Sequence, residues 1–164
     1  MTANDAIQNS LTSTQWILKQ LLNDFTDAEL LVRPVPGANH TAWQLGHLIA
    51  AEHGMLLSQF PQAKLPALPA GFSEAHSNDT AKSDDAKKFL TKDGYMDLFD
   101  KVRAGTLTAI KGLSDADFDK ATEGKMASWC PTVGSFITLL ANHTLMHAGQ
   151  FTTVRRKLGK PIVM

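Results

Sequence analysis

The last quarter of the sequence carries an apolar stripe at helical spacing, and two histidines occupy positions within that stripe. The apolar residues that recur at three- and four-residue intervals are Val133, Phe136, Ile137, Leu140, Phe151, Val154 and Leu158. His143 and His147 fill further positions of the same stripe, so a helix over residues 132–158 would turn both imidazoles toward the core. Residues four apart lie about 6 Å apart along a helix axis. Two imidazoles placed in this way can bind one metal ion.

A core-facing imidazole needs a partner for its ring nitrogens, and two kinds of partner are open at this point. One is a polar neighbour, since a single core histidine is usually a hydrogen-bonded structural residue. The other is a metal ion, because histidine is the commonest metal ligand in proteins. A metal site would require at least one more ligand from another segment.

Three further segments show helical periodicity, and the sequence has no convincing strand pattern. The first covers about residues 4–24, the second begins near residues 39–41 and ends near residue 59, and the third covers about residues 91–111. Each carries the apolar stripe of an amphipathic helix. Four such helices predict an all-α four-helix bundle, and this length is typical of one domain, residues 1–164.

Residues 61–91 separate the second predicted helix from the third. Pro61, Pro66 and Pro69 break any helix at the start of this stretch, and the remainder is polar with mixed charges. In a four-helix bundle a connection of this length can join two parallel helices. We therefore predict a long crossover connection with a few short helical turns. His76, which lies within it, is expected to face solvent.

The second predicted helix supplies a further inward histidine. Its segment 43–51 is apolar on nearly every side, which predicts a mostly buried helix. His47 shares a face with Ala50, Ala51 and Gly54, and these small residues would leave room beside the imidazole for a metal and a ligand.

The remaining polar side chains of this helix are poorer ligand candidates. Glu52 and His53 project about 140° and 120° away from His47 around the helix. His40 stands at the helix start, where a capping or surface role is expected.

Composition narrows the classes of partner. Lys and Arg together number 16, as do Asp and Glu, so no bulk attraction to nucleic acid or to an anionic membrane is expected. The N-terminus lacks the pattern of a signal peptide, and no apolar run has membrane-spanning length. A single cysteine, Cys130, excludes an intrachain disulfide and fits a reducing cytoplasm.

Two short motifs resemble the DinB/YfiT-like family of metalloenzymes. They are Trp-Gln-Leu-Gly-His-Leu at residues 43–48 and His-x3-His-Ala-Gly-Gln at residues 143–150. The resemblance covers nearly the whole chain through its helix order and its long connection. It implies that His47, His143 and His147 are the three metal ligands. It also implies a four-helix bundle that is often a homodimer, and some related proteins are thiol-dependent S-transferases or isomerases.

Three imidazoles leave an open metal position, which is the layout of a catalytic zinc-type site, whereas structural zinc sites are closed by four protein ligands. Imidazole also suits nickel, iron and copper, and we expect zinc or nickel. Metal-dependent hydrolases commonly place a carboxylate nearby, as in His-Glu-x-x-His, yet no Asp or Glu occurs after residue 132. The pattern favours a thiol-dependent S-transferase acting on small electrophiles. A metal-dependent hydrolase and a non-catalytic, stress-related metal-binding bundle are the alternatives.

Gln150 lies one helical turn beyond His147 and is the candidate for binding a cofactor such as a small thiol cosubstrate. It could equally be a polar residue at the end of the cavity.

Overall fold

The computed structural model describes residues 1–163, and four long helices dominate it. In chain order the α-helices are α1 (Ala3–Leu22), α2 (Thr41–Gln59), the short α3 (Phe72–Ala75), α4 (Lys92–Ile110), the short α5 (Asp115–Phe118) and α6 (Val133–Lys157). Residues 1–163 contain no β-strand beyond an isolated bridge between Ala121 and Thr132. The prediction of an all-α four-helix bundle is confirmed.

Side-chain caps define where the long helices begin. Thr2, Thr91 and Thr132 each accept a hydrogen bond from a backbone N–H in the first turn of α1, α4 and α6. His40 caps α2 in the same manner, because its Nδ1 accepts from the Trp43 backbone N–H at 3.0 Å. The capping role predicted for His40 is therefore confirmed, although its side chain is fully buried.

Hydrogen bonds between the helix ends fix the directions of α1, α4 and α6. The Lys92 N–H donates to Asp27 just beyond α1, and Asn4 at the start of α1 donates to the Ile110 carbonyl at the end of α4. These contacts make α1 and α4 antiparallel. Arg155 in the last turn of α6 donates to the Leu21 carbonyl near the end of α1, so those two helices are parallel.

The direction of α2 shows what the long connection does. Gln44 near its start contacts His147 in the second half of α6, and Gln59 at its end contacts Glu123, which precedes α6. α2 is therefore antiparallel to α6 and parallel to α4. The chain between α2 and α4 is the predicted crossover between parallel helices.

His76 corrects one expectation for this crossover, because its side chain is only 2% exposed and does not face solvent. Its Nδ1 donates to the Phe72 carbonyl at 2.7 Å, and the Tyr95 hydroxyl then donates to its Nε2 at 2.7 Å. The ring also packs against Gly46 of α2, where any side chain would overlap it. The sequence around His76 is polar and predicted exposure, but the short helix α3 ends at Ala75 and directs the next side chain, His76, inward.

Two apolar clusters fill the two halves of the bundle, and a polar layer separates them. One cluster includes Leu18, Leu48 and Phe151, and the other includes Leu11 and Leu56. The layer between them consists of Thr14, Glu52, Arg103, Thr106 and Thr144. No helix within residues 1–163 is both long enough and apolar enough to cross a membrane.

Candidate metal centre

Three histidines from two antiparallel helices meet beside the polar layer. His47 projects from α2, and His143 and His147 project from successive turns of α6. Each offers one ring nitrogen, and the three nitrogens all lie within 4.8 Å of one another. The Nε2 atoms of His143 and His147 are 3.2 Å apart. His147 is buried, whereas His47 and His143 are half-buried, so the cluster has an accessible side.

This spacing fits a bound divalent ion. Two nitrogen ligands about 2.0–2.1 Å from a tetrahedral metal lie roughly 3.3 Å apart. The 3.2 Å between His143 and His147 is close to that value. Among the His, Cys, Asp and Glu side chains of residues 1–163, these three lie close enough together to hold one ion. An all-imidazole set suits zinc, nickel, iron or copper better than the oxygen-preferring magnesium and calcium.

Burial of the cluster keeps its three imidazole rings neutral at neutral pH. The pKa of His143 is lowered to about 4, chiefly by burial and to a smaller extent by the neighbouring His47. Burial and then the two other histidines lower the pKa of His147 to about 3. Burial also lowers the pKa of His47, against an opposing contact from the His76 backbone. Neutral imidazoles have the lone pairs that metal binding requires.

Gln44 contacts the cluster and was not among the predicted site residues. Its Oε1 lies 2.8 Å from His147 Nδ1, and its Nε2 donates to the Asn39 carbonyl at 2.8 Å. The only sequence signal was a polar residue within the almost wholly apolar segment 43–51. A polar side chain there must find a buried partner, but the sequence alone did not reveal which one.

Trp43 supports the other side of the cluster. Its indole stacks on the His47 ring with the centroids 5.0 Å apart and the planes within 8° of parallel. Its Nε1 donates to the Ser77 carbonyl at 3.1 Å, which ties the crossover to α2 beside the cluster. The orientation of His47 therefore depends on the crossover as well as on its own helix.

Glu52 is a carboxylate close enough to influence the pKa of His143, but its oxygens already have partners. Arg103 donates to both oxygens, at 2.9 and 2.8 Å. The Thr106 hydroxyl donates to Oε1 at 2.7 Å. Both members of this ion pair are buried. Glu52 is consequently a component of the polar layer rather than a free base, in line with its poor ranking as a ligand.

The other predicted residues lie outside the cluster. His53 contacts the Pro66 carbonyl, and His40 and His76 have the structural partners described above. Gly54 is exposed and has open space where a side chain would project. The space expected beside this residue is therefore solvent and not part of a cavity at the cluster. Gln150 is exposed, and its side chain makes no hydrogen bond within residues 1–163. Its role in cofactor binding stays a prediction.

Comparison with known proteins identifies relatives at the level of family and fold. The model of the DinB superfamily matches residues 10–151. A conserved protein from Enterococcus faecalis superimposes with a TM-score of 0.72 at 16% identity, covering 98% of this chain and 99% of that one. YfiT from Bacillus subtilis, described as a probable metal-dependent hydrolase with an unusual four-helix bundle topology, gives 0.64 at 19% identity over 96% and 89% of the two chains. No protein of curated function matches the sequence significantly.

Proposed function

Because this chain belongs to the DinB superfamily, we propose that it is a metal-dependent enzyme that acts on a small molecule. The proposed ligands are His47, His143 and His147, and the proposed ion is zinc or nickel. The proposed reaction is the transfer of a small thiol to an electrophile. The observation that carries the proposal is a partly exposed cluster of three neutral imidazoles within 4.8 Å of one another, with an accessible side left for a ligand.

Within residues 1–163 no Asp or Glu side chain joins the three-histidine cluster, and this favours thiol transfer over hydrolysis. A hydrolytic metal site commonly uses a carboxylate as general base. Glu52 is held by Arg103 and Thr106, and proton transfer to it would break a buried ion pair. A thiol has a pKa of about 8.5, far below that of water, so it ionises with less help from a base.

In the proposed reaction the thiol sulfur forms a bond to an electrophilic carbon, and the leaving group departs with the bonding electrons. The thiol proton passes to solvent through the accessible side of the cluster. When bound, the ion would supply a Lewis acid that favours the nucleophilic thiolate. The chain's own residues keep the three imidazoles neutral and hold them in place. Gln150, exposed one turn beyond His147, is the proposed contact for the thiol cosubstrate.

The experiment uses zinc-loaded protein with glutathione, bacillithiol, mycothiol or coenzyme A, and with monochlorobimane as the electrophile. We expect conjugation above the background rate with at least one thiol. It should disappear in His147→Ala and persist in His53→Ala, because the His53 side chain lies outside the cluster and hydrogen-bonds to the Pro66 carbonyl. If no thiol is used, thiol transfer is wrong.

Hydrolysis is the second candidate, and the fold shared with YfiT favours it. The same zinc-loaded protein would then cleave members of an ester and amide panel without any thiol, and the activity would again require His147. Metal-dependent cleavage in the absence of thiol turnover would replace the first proposal with this one.

A non-catalytic, stress-related metal-binding bundle is the third candidate. It predicts metal binding without turnover in either assay.

We also retain the homodimer and the cytoplasmic location as proposals. Light scattering should give about twice the 17.8 kDa mass of one chain, and a mass near 17.8 kDa at all concentrations would reject the dimer.

A further inference from the structure

We propose that Gln44 is a positioning residue for the metal centre: it fixes the His147 imidazole in the tautomer whose Nε2 faces the other ligands. The inference rests on the proposed metal site but is independent of the reaction carried out there. Gln44 would not bind the ion itself, because it contacts His147 Nδ1 and not the Nε2 that faces His143.

The orientation of the Gln44 amide is set from its far side. The Asn39 backbone carbonyl can only accept a hydrogen bond, so the group 2.8 Å from it must be the Gln44 NH2. The amide oxygen therefore faces His147. Gln44 is 2% exposed, and burial leaves no water to substitute for either partner.

This amide orientation determines the His147 tautomer. Gln44 Oε1 can only accept, so the His147 Nδ1 at 2.8 Å must carry the ring proton. In the neutral imidazole the Nε2 then has the free lone pair. This is the nitrogen that lies 3.2 Å from His143 Nε2. A ligating histidine commonly donates its other N–H to an acceptor, which orients the ring and raises its basicity.

The relation between the two α6 ligands follows from the same contact. Because His147 Nε2 has no proton, its lone pair faces His143 Nε2 across 3.2 Å, which is close to the spacing of two nitrogens bound to one ion. His147 is therefore already in its ligating tautomer. Gln44 thus prepares the more buried of the two ligands.

Three variants separate this role from a general structural one. Gln44→Met keeps the length of the side chain but loses both hydrogen bonds, whereas Gln44→Glu keeps the acceptor for His147 and loses the donor to Asn39. Gln59→Met is the matched control, because Gln59 lies on the same helix and makes two hydrogen bonds with Glu123 away from the cluster. Zinc affinity is measured by competition with a chromophoric chelator.

We expect Gln44→Met to weaken zinc binding by about 10–100-fold, the usual effect of removing such a partner. Gln44→Glu and Gln59→Met should remain close to the wild type. Equal affinity in the wild type and Gln44→Met would overturn the role of Gln44 while leaving the metal site intact. A wild type that binds neither zinc nor nickel would instead overturn the metal-dependent function.

A measurement on the wild type covers the case in which Gln44→Met does not fold. Nitrogen-15 NMR of the histidine rings in metal-free protein at pH 7 reports which nitrogen carries the proton. We expect His147 to be entirely the Nδ1–H tautomer. An Nε2–H tautomer, or an even mixture, would overturn the inference.

Discussion

At the scale of single residues, the contact between Gly46 and His76 holds the crossover against α2. A side chain at residue 46 would overlap the buried His76 ring, which is fixed by Phe72 and Tyr95. The histidine cannot move aside without removing the acceptor of the buried Tyr95 hydroxyl proton. A glycine inside a helix is otherwise unfavourable, so its presence here is explained by this close approach.

We therefore predict that Gly46→Ala destabilises the protein by about 1–3 kcal/mol through overpacking. In a His76→Ala background the obstruction is gone, and the same substitution should stabilise by roughly the 1 kcal/mol that separates alanine from glycine in a helix. Urea unfolding of the four proteins of this double-mutant cycle measures both effects. A similar cost of Gly46→Ala in both backgrounds would show that the His76 ring is not what opposes a side chain there.

At the scale of packed elements, the buried pair of Arg103 and Glu52 connects all four long helices. Arg103 of α4 donates to Glu52 of α2, to Thr144 of α6 and to the Leu11 carbonyl of α1. Charges in such a position are tolerated only while they remain paired. Thr144 directly follows His143 in the sequence, so its hydrogen bond from Arg103 ties α6 to the layer one residue from the cluster.

Arg103→Met should destabilise the protein by about 3–5 kcal/mol, because it leaves the Glu52 charge buried without its partner. Lys101→Met is the control on the same helix. It breaks an exposed pair with Asp97 and should cost less than about 0.5 kcal/mol. Denaturant unfolding of both variants gives the comparison, and equal losses would contradict the importance assigned to the polar layer.

The helices could be predicted from the sequence because each depends on local periodicity and on nearby caps. The apolar stripe of α6 is visible in the sequence alone, and the Thr91 and Thr132 side chains bond to backbone N–H groups three residues away. The roles of His76, Gln44 and Arg103 could not be predicted in this way. Each depends on atoms from an element distant in sequence, such as the Tyr95 hydroxyl for His76, and no local pattern encodes such a pairing.

For the whole molecule, the lowered pKa values of the buried histidines couple stability to pH. A histidine with a lower pKa in the folded than in the unfolded state binds fewer protons when folded, so acid favours unfolding. The effect begins as the pH falls below the ordinary value of about 6.5. It grows until the pH reaches the folded values of about 4 for His143 and about 3 for His147.

Metal-free protein should therefore lose stability steadily from pH 7 to pH 5, seen as falling urea midpoints in the presence of a chelator. The double variant His143→Gln/His147→Gln removes two of the responsible groups and should show a shallower decline. An unchanged slope in that variant would mean that these histidines do not cause the pH dependence.

A single unfolding transition in the same experiment is expected if residues 1–164 form one domain.

The direct test of the three-histidine site is the metal content of protein purified without a histidine tag, measured by inductively coupled plasma mass spectrometry. We predict about one divalent ion per chain in the wild type and in His53→Ala. His47→Ala, His143→Ala and His147→Ala should each retain almost none, because two imidazoles hold an ion far less tightly than three. Equal metal loss in His53→Ala and the cluster variants, or no loss in any of them, would contradict the site.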